Sequence, residues 1–254
     1  GPIASKPGSL LHLGFDTVVV GEGEASLLEL LRNGLKIGIL PPRFQGTILL
    51  DGKRQGIGCG RATKSFDLES FRKEYVQKYE MLNSFDSSVS CIRDYPVHCA
   101  LRFYVEITRG CSNFLRTTIQ LPDGSKCTAC QKCRDDKLEK RIHCPAGIPP
   151  GCGFCSVPNL FGYSRSRNED RIAREVKELV KAGVRRITLS ASDFLDYKRD
   201  DLVTPSPLTD PCNPPPNYSE IERLLSRLNS IQKDLGITEK DKVYMSIENV
   251  KACL

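Results

Sequence analysis

No apolar run in this 254-residue sequence approaches the ~18 residues that a membrane span needs, and no stretch has the order of a signal peptide. The lack of both predicts a protein of the cytoplasm with no membrane span. Also missing is any basic stripe interleaved with aromatics. The net charge of +6 is spread along the chain, and the run Arg134 to Arg141 mixes signs like a solvated helical turn. That balance permits an anionic partner such as nucleic acid without indicating one. Cysteine is not lacking. Twelve are present, and seven of them fall between Cys111 and Cys155. With 39% hydrophobic residues the chain can bury a core without disulfide staples. Clustered thiols in a reducing compartment then point to metal.

The first half offers few elements. Phe15 to Val20 reads as a short strand, followed by the Gly21-Glu22-Gly23-Glu24 turn and a helix from Ala25 carrying Leu27, Leu28, Leu30 and Leu31. One such unit cannot bury both faces of a sheet, so partners are expected upstream. Ile48-Leu49-Leu50 before Asp51-Gly52 suggests a hairpin. The stretch 66–86 (Phe66, Leu68, Phe71, Tyr75) has some helical spacing and reads as a linker.

From residue 101 the pattern sharpens. Leu101 to Thr108 is a β-rich run ending at Arg109-Gly110-Cys111. Asn168-Glu169-Asp170 opens a helix with a cap and an acidic first turn. Its apolar face is Ile172, Val176, Leu179 and Val180, and Gly183 stops it. Arg186 to Ser190 is the next strand, followed by a proline-rich loop. Asn217-x-x-Glu220 caps a second helix with Ile221, Leu224, Leu225, Leu228 and Ile231 inward. Lys242 to Ile247 is a third strand. The alternation of strand and helix predicts an α/β fold with a parallel sheet, and three strands do not close a barrel. The sequence reads as truncated at both ends.

Thiolates at CxxC spacing reach one metal from a single turn of backbone. Cys152-Gly153-Phe154-Cys155 lies between the first strand of this series and its crossover helix, in a βα loop of the catalytic face of a parallel barrel. Cys111 stands at the mouth of that strand. Cys127-x-x-Cys130-x-x-Cys133 followed by Cys144-Pro145 fills the interval. Four thiolates there suit a second 4Fe-4S cluster or a structural zinc equally well, and either would fold a segment with little apolar core. His143 beside Cys144 reads as a bystander. Cys59, Cys91, Cys99, Cys212 and Cys253 have no ligand spacing and read as ordinary thiols.

The run Glu106-x-Thr108-Arg109-Gly110-Cys111, Phe154 before the last cysteine, and the helix stopped at Gly183 resemble the radical S-adenosylmethionine (SAM) superfamily. Its usual spacing, CxxxCxxC, is broken here by forty residues between Cys111 and Cys152. The resemblance covers most of 101–254. It implies an incomplete parallel (β/α) radical SAM barrel over 101–254 with a metal-binding insertion at 112–151. Cys111, Cys152 and Cys155 would hold the catalytic 4Fe-4S cluster, with Cys144 the competitor for Cys111. Ser190, Ser192 and Asp193 at the strand end, and Glu248 after the third strand, would receive the amino or ribose groups of SAM, or else cap their loops. The implied activity is reductive cleavage of SAM, with a ferredoxin or flavodoxin as reductant.

Gly14-Phe15-Asp16 through Glu24 is similar, more loosely, to the tail of the Rossmann-like cobalamin-binding domain that precedes many such barrels. That makes 1–45 its remnant and 46–100 a linker, and it implies cobalamin and methylation of an unactivated carbon or a radical rearrangement. The cobalt-ligating histidine of that family lies upstream of this sequence, and His12 is not at its position. Arg165-Ser166-Arg167 and Leu189 to Phe194 resemble the methylthiotransferase branch instead, which modifies tRNA or protein. A non-catalytic zinc-binding interaction module is the reading from outside the enzymes.

Overall fold

A computed structural model of the protein describes three short strands within residues 17–58. From residue 101 to 250 it describes all but 119, 121, 123, 125 and 136–143. Two compact units divide the chain: residues 1–77 with 115–162, and residues 78–114 with 163–254.

In the first unit, β1 (Thr17–Val19), β2 (Thr47–Leu50) and β3 (Gly56–Gly58) form an antiparallel sheet in that order. Ile48 pairs with Gly58 and Leu50 with Gly56, the register of a hairpin. The expected hairpin is therefore present. The expected helix from Ala25 and the stretch 66–86 lie outside the described residues. The same unit carries the cysteine-rich insertion, a 3-10 turn at Lys132–Arg134 and the short helix α1 (Val157–Phe161). Pro158 stands in the first turn of α1, where its missing N–H costs nothing.

The second unit is a three-stranded parallel sheet covered by two helices. β4 (Phe103–Glu106), β7 (Arg186–Ser190) and β8 (Tyr244–Ile247) run parallel in the order β4-β7-β8. Phe103 is in register with Ile187, and Ile187 with Met245. The crossovers are α2 (Glu169–Lys181) and α3 (Tyr218–Asp234). Val105, Ile107, Ile187 and Leu189 pack with Ile172, Val176, Leu179, Val180, Leu224 and Leu228 in one core. Both apolar faces expected from helical spacing are the buried ones, with Leu225 only partly covered. After β4 the chain turns into a second ribbon, where β5 (Thr108–Arg109) pairs antiparallel with β6 (Arg165–Ser166).

The helix ends follow their sequence signals in two cases of three. The Asn168 side chain accepts the Arg171 N–H and closes the start of α2. Gly183 ends it at φ 98°, a left-handed conformation in which a side chain would be strained. Its N–H reaches Val180 O and that of Val184 reaches Leu179 O. The predicted Asn217–Glu220 box does not form. The Asn217 amide instead donates to Lys198 O, tying the helix start to the preceding loop. Among the described residues no helix is long and apolar enough to cross a membrane.

Candidate functional site

Ligand sites in open parallel sheets lie beyond the carboxyl ends of the strands, and in the second unit that edge is polar. Glu106 ends β4, and both its carboxylate oxygens accept from Arg109 (Nε and Nη2) at 2.8 Å. Ser190 ends β7 and donates its hydroxyl to Glu248 Oε2 at 2.9 Å. The two loops that follow are clamped together. Glu248 N reaches Leu189 O, Asn249 Nδ2 reaches Ala191 O at 3.0 Å, and Phe194 N reaches Asn249 O. Asn249 takes a positive φ of 58° to make these contacts. Of the four residues predicted to face SAM, Ser190 and Glu248 are thus brought together. Ser192 is half-buried in the same loop. Asp193 is fully buried, and its Oδ1 accepts the Leu195 N–H to cap the turn Phe194–Asp196.

Cys111 follows Gly110, whose φ of 81° lets the chain leave β5 sharply. The thiol is buried, and the N–H of Asn113 points at its sulfur at 3.4 Å. Its neighbour Ser112 is fixed by a buried acid. Asp196 accepts from Ser112 N at 3.0 Å and from Ser112 Oγ at 2.8 Å. Asp196 also takes the Arg199 guanidinium at 2.6 Å, and both side chains of this pair are 0% exposed. Arg199 in turn donates to Pro214 O and Asp210 O, which binds the proline-rich loop to the same point. A second acid, Asp200, receives the N–H and hydroxyl of Ser166. Burial pushes its carboxyl above the usual range, against those two hydrogen bonds. Asp196, Arg199 and Asp200 were not among the predicted residues. The available signal was the single acid Asp196 inside the apolar and aromatic run Phe194 to Tyr197, with Arg199 three residues after it.

In the first unit Cys152 is exposed and Cys155 half-buried. The N–H of Cys155 closes a turn on Cys152 O at 2.9 Å, and Gly151 N is held on Leu115 O at 2.8 Å. Cys127, Cys133 and Cys144 are half-buried free thiols and Cys130 an exposed one. The Lys132 N–H beside Cys130 draws its thiol below the ordinary value. Among the described residues no three His, Cys, Asp or Glu side chains converge as a metal site. His143 lies outside the described residues. The donor chemistry nonetheless fits iron and sulfide: the candidates are all thiols, and the pair at 152 and 155 shares one turn.

The segment Arg165-Ser166-Arg167 does not present a basic face. All three side chains are buried. Arg167 is paired with Glu175, and Arg165 lies 5.7 Å from the Tyr163 ring.

No family model matches the chain. It is similar over its whole length to an uncharacterized protein of Methanopyrus kandleri, 43% identical over 254 residues and 41% of that relative. A second uncharacterized protein, from Methanocaldococcus jannaschii, is 37% identical over 254 residues and 43% of its length. The chain thus spans about two fifths of these relatives. A shorter similarity, 37% identical over 91 residues, connects 36% of the chain with 18% of the ribosomal protein uS12 methylthiotransferase RimO of Thermotoga petrophila. That of Akkermansia muciniphila is 30% identical over 91 residues.

Proposed function

We propose that this chain is part of a radical SAM enzyme that transfers a methylthio group. The observation that carries the reading is the 37% identity over 91 residues with a ribosomal protein methylthiotransferase. The alternation of parallel strand and helix in residues 101–250 is compatible with it. Cobalamin has no comparable support, so the methyltransferase expectation gives way to the methylthiotransferase one.

Cys152 and Cys155 are the proposed thiolate ligands of a 4Fe-4S cluster, with Cys111 or Cys144 as the third. Such a cluster, once bound, supplies the electron that splits SAM, fed by a reductant of the ferredoxin or flavodoxin kind. The chain's own part is to hold SAM at the strand ends. The Glu248 carboxylate suits the ammonium of SAM, and Ser190, which donates to it, fixes its orientation. Ser192 stands in the same loop as a further polar partner. Asp193 shapes that loop through its cap on Leu195.

The test is turnover by anaerobically reconstituted protein with methyl-labelled SAM, sulfide and a reductant, with and without cobalamin. Formation of both 5′-deoxyadenosine and S-adenosylhomocysteine without cobalamin is expected. Strict dependence on added cobalamin would overturn the assignment.

A further inference from the structure

The loop after β7 joins two places that the proposed SAM chemistry needs in register. At one end lies the strand-end pair Ser190 and Glu248. Asn249, the residue after Glu248, accepts the Phe194 N–H on its carbonyl at 2.8 Å, and its Nδ2 donates to Ala191 O at 3.0 Å. Phe194 opens the 3-10 turn Phe194–Asp196, which Asp193 caps by accepting the Leu195 N–H at 3.2 Å. At the far end of that turn Asp196 grips Ser112, the residue after Cys111. One carboxylate oxygen accepts Ser112 N at 3.0 Å, and the other accepts Ser112 Oγ at 2.8 Å. The next N–H, that of Asn113, points at Cys111 Sγ at 3.4 Å, and Phe114 N reaches Thr209 O at 3.4 Å. Three successive backbone N–H groups after the thiol are therefore held, and with them the path of the chain out of β5.

Stability alone is a poor reason for this grip. Asp196 and Arg199 form an ion pair with both side chains out of water, and exchanging such a pair for apolar residues of similar volume is often neutral or stabilising. What a carboxylate supplies and an apolar contact does not is direction, because two oxygens on two donors of one residue fix orientation as well as position. Arg199 is itself held on Pro214 O at 2.9 Å and on Asp210 O at 3.2 Å, which keeps the carboxylate in place. Of the four thiols offered as cluster ligands (Cys111, Cys144, Cys152 and Cys155), Cys111 is the one in the unit that carries Ser190 and Glu248.

We propose that Asp196, acting through Ser112, is a positioning residue that sets Cys111 against the SAM-holding strand ends, and that Cys111 rather than Cys144 is the third thiolate. The inference rests on the radical SAM reading and deepens it. A three-residue turn carries the position of Glu248 to Cys111, so that the thiol and the group offered to the ammonium of SAM share one rigid support. Partners that orient a metal ligand without touching the metal are worth about tenfold or more in the function of the site.

The test uses the full chain, reconstituted anaerobically with iron and sulfide and reduced with dithionite, as the parent, Ser112→Ala, Cys111→Ala, Cys144→Ala and Asn168→Ala. Ser112→Ala removes one hydroxyl and leaves the Asp196–Arg199 pair and the bond to Ser112 N in place. Asn168→Ala loosens the same unit by a lost helix cap, far from the turn in sequence, and reports what destabilisation alone does. Bound iron and sulfide are counted, and the electron paramagnetic resonance signal of the cluster is titrated with SAM. The signal of the parent, Cys144→Ala and Asn168→Ala is expected to respond to SAM at the same concentration. Ser112→Ala keeps its iron and needs about tenfold more SAM, and Cys111→Ala gives no response. Equal titrations in Ser112→Ala and the parent, or an equal displacement in Asn168→Ala, overturn the role given to Asp196. A response that survives Cys111→Ala, or is lost in Cys144→Ala, overturns the choice of Cys111. A parent that takes up iron and shows no response to SAM is instead the failure of the radical SAM reading, and the proposal falls with it.

Discussion

Replacing Asp196 by alanine should destabilise the 78–114 and 163–254 unit more than any other single change to a charged residue there. The carboxylate accepts Ser112 N at 3.0 Å, Ser112 Oγ at 2.8 Å and Arg199 Nη1 at 2.6 Å, all out of water. Removing it strands a guanidinium that keeps only the carbonyls of Pro214 and Asp210. Breaking a buried pair from one side costs about 3–5 kcal/mol, most of it the uncompensated charge that remains. Asp196→Leu with Arg199→Met should therefore be less damaging than Asp196→Leu alone, because no buried charge is left over. Urea unfolding followed by far-UV circular dichroism gives the midpoints, and an unchanged slope licenses comparing them. Amide exchange at Ser112, Asn113 and Phe114 should speed up in Asp196→Ala, since this acid anchors the turn after Cys111. A variant within about 0.5 kcal/mol of the parent, or a double variant worse than the single, refutes the reasoning.

Glu169 makes a pH-dependent prediction. Burial alone would raise its carboxyl, but hydrogen bonds from Arg227 and Arg223 outweigh it and hold the group below its ordinary 4.5. A depressed folded value means stability that is complete above the unfolded value and lost as pH falls through the folded one. Glu169→Gln should accordingly flatten the acid limb of the stability curve below about pH 4.5 and leave a constant deficit above it, as read by urea midpoints. Asn168→Ala removes the cap on Arg171 N and should cost about 1 kcal/mol in the same assay. Leu224→Ala, at a position 0% exposed in the core, should cost about 2–5 kcal/mol. At the strand-end edge, Glu248→Gln should weaken SAM binding while leaving iron content unchanged, measured by equilibrium dialysis of labelled SAM.

The second unit was legible because its elements carry periodicity and punctuation together. Ile172, Val176 and Leu179 recur at helical spacing, Asn168 and Gly183 bracket them, and the β-rich runs on either side must lie parallel once a helix crosses between them. Asn217 misled because its Nδ2 is held on Lys198 O and its Oδ1, the atom a cap would use, accepts the Ser219 hydroxyl. The Arg165-Ser166-Arg167 run also has partners that no local pattern encodes. Its charges answer to Glu175 and to backbone carbonyls rather than to solvent. Ser190 and Glu248 were found by strand-end position alone, and their mutual hydrogen bond follows from the β7–β8 register, which no local pattern encodes. Asp196 and Arg199 escaped because a charged residue reads as surface until its buried partner is known. The cysteines were legible as ligands by type and spacing, while which of them share one metal depends on distances that spacing does not supply.

The central claim is that Cys152 and Cys155 hold an iron–sulfur cluster that splits SAM. Its most direct measurement is 5′-deoxyadenosine formed from SAM by anaerobically reconstituted, dithionite-reduced protein, alongside Cys152→Ala and Cys155→Ala. The account predicts 5′-deoxyadenosine and methionine from the parent, and none from either variant. Iron and sulfide taken up by the parent with no SAM cleavage, or cleavage that survives loss of both cysteines, would contradict it.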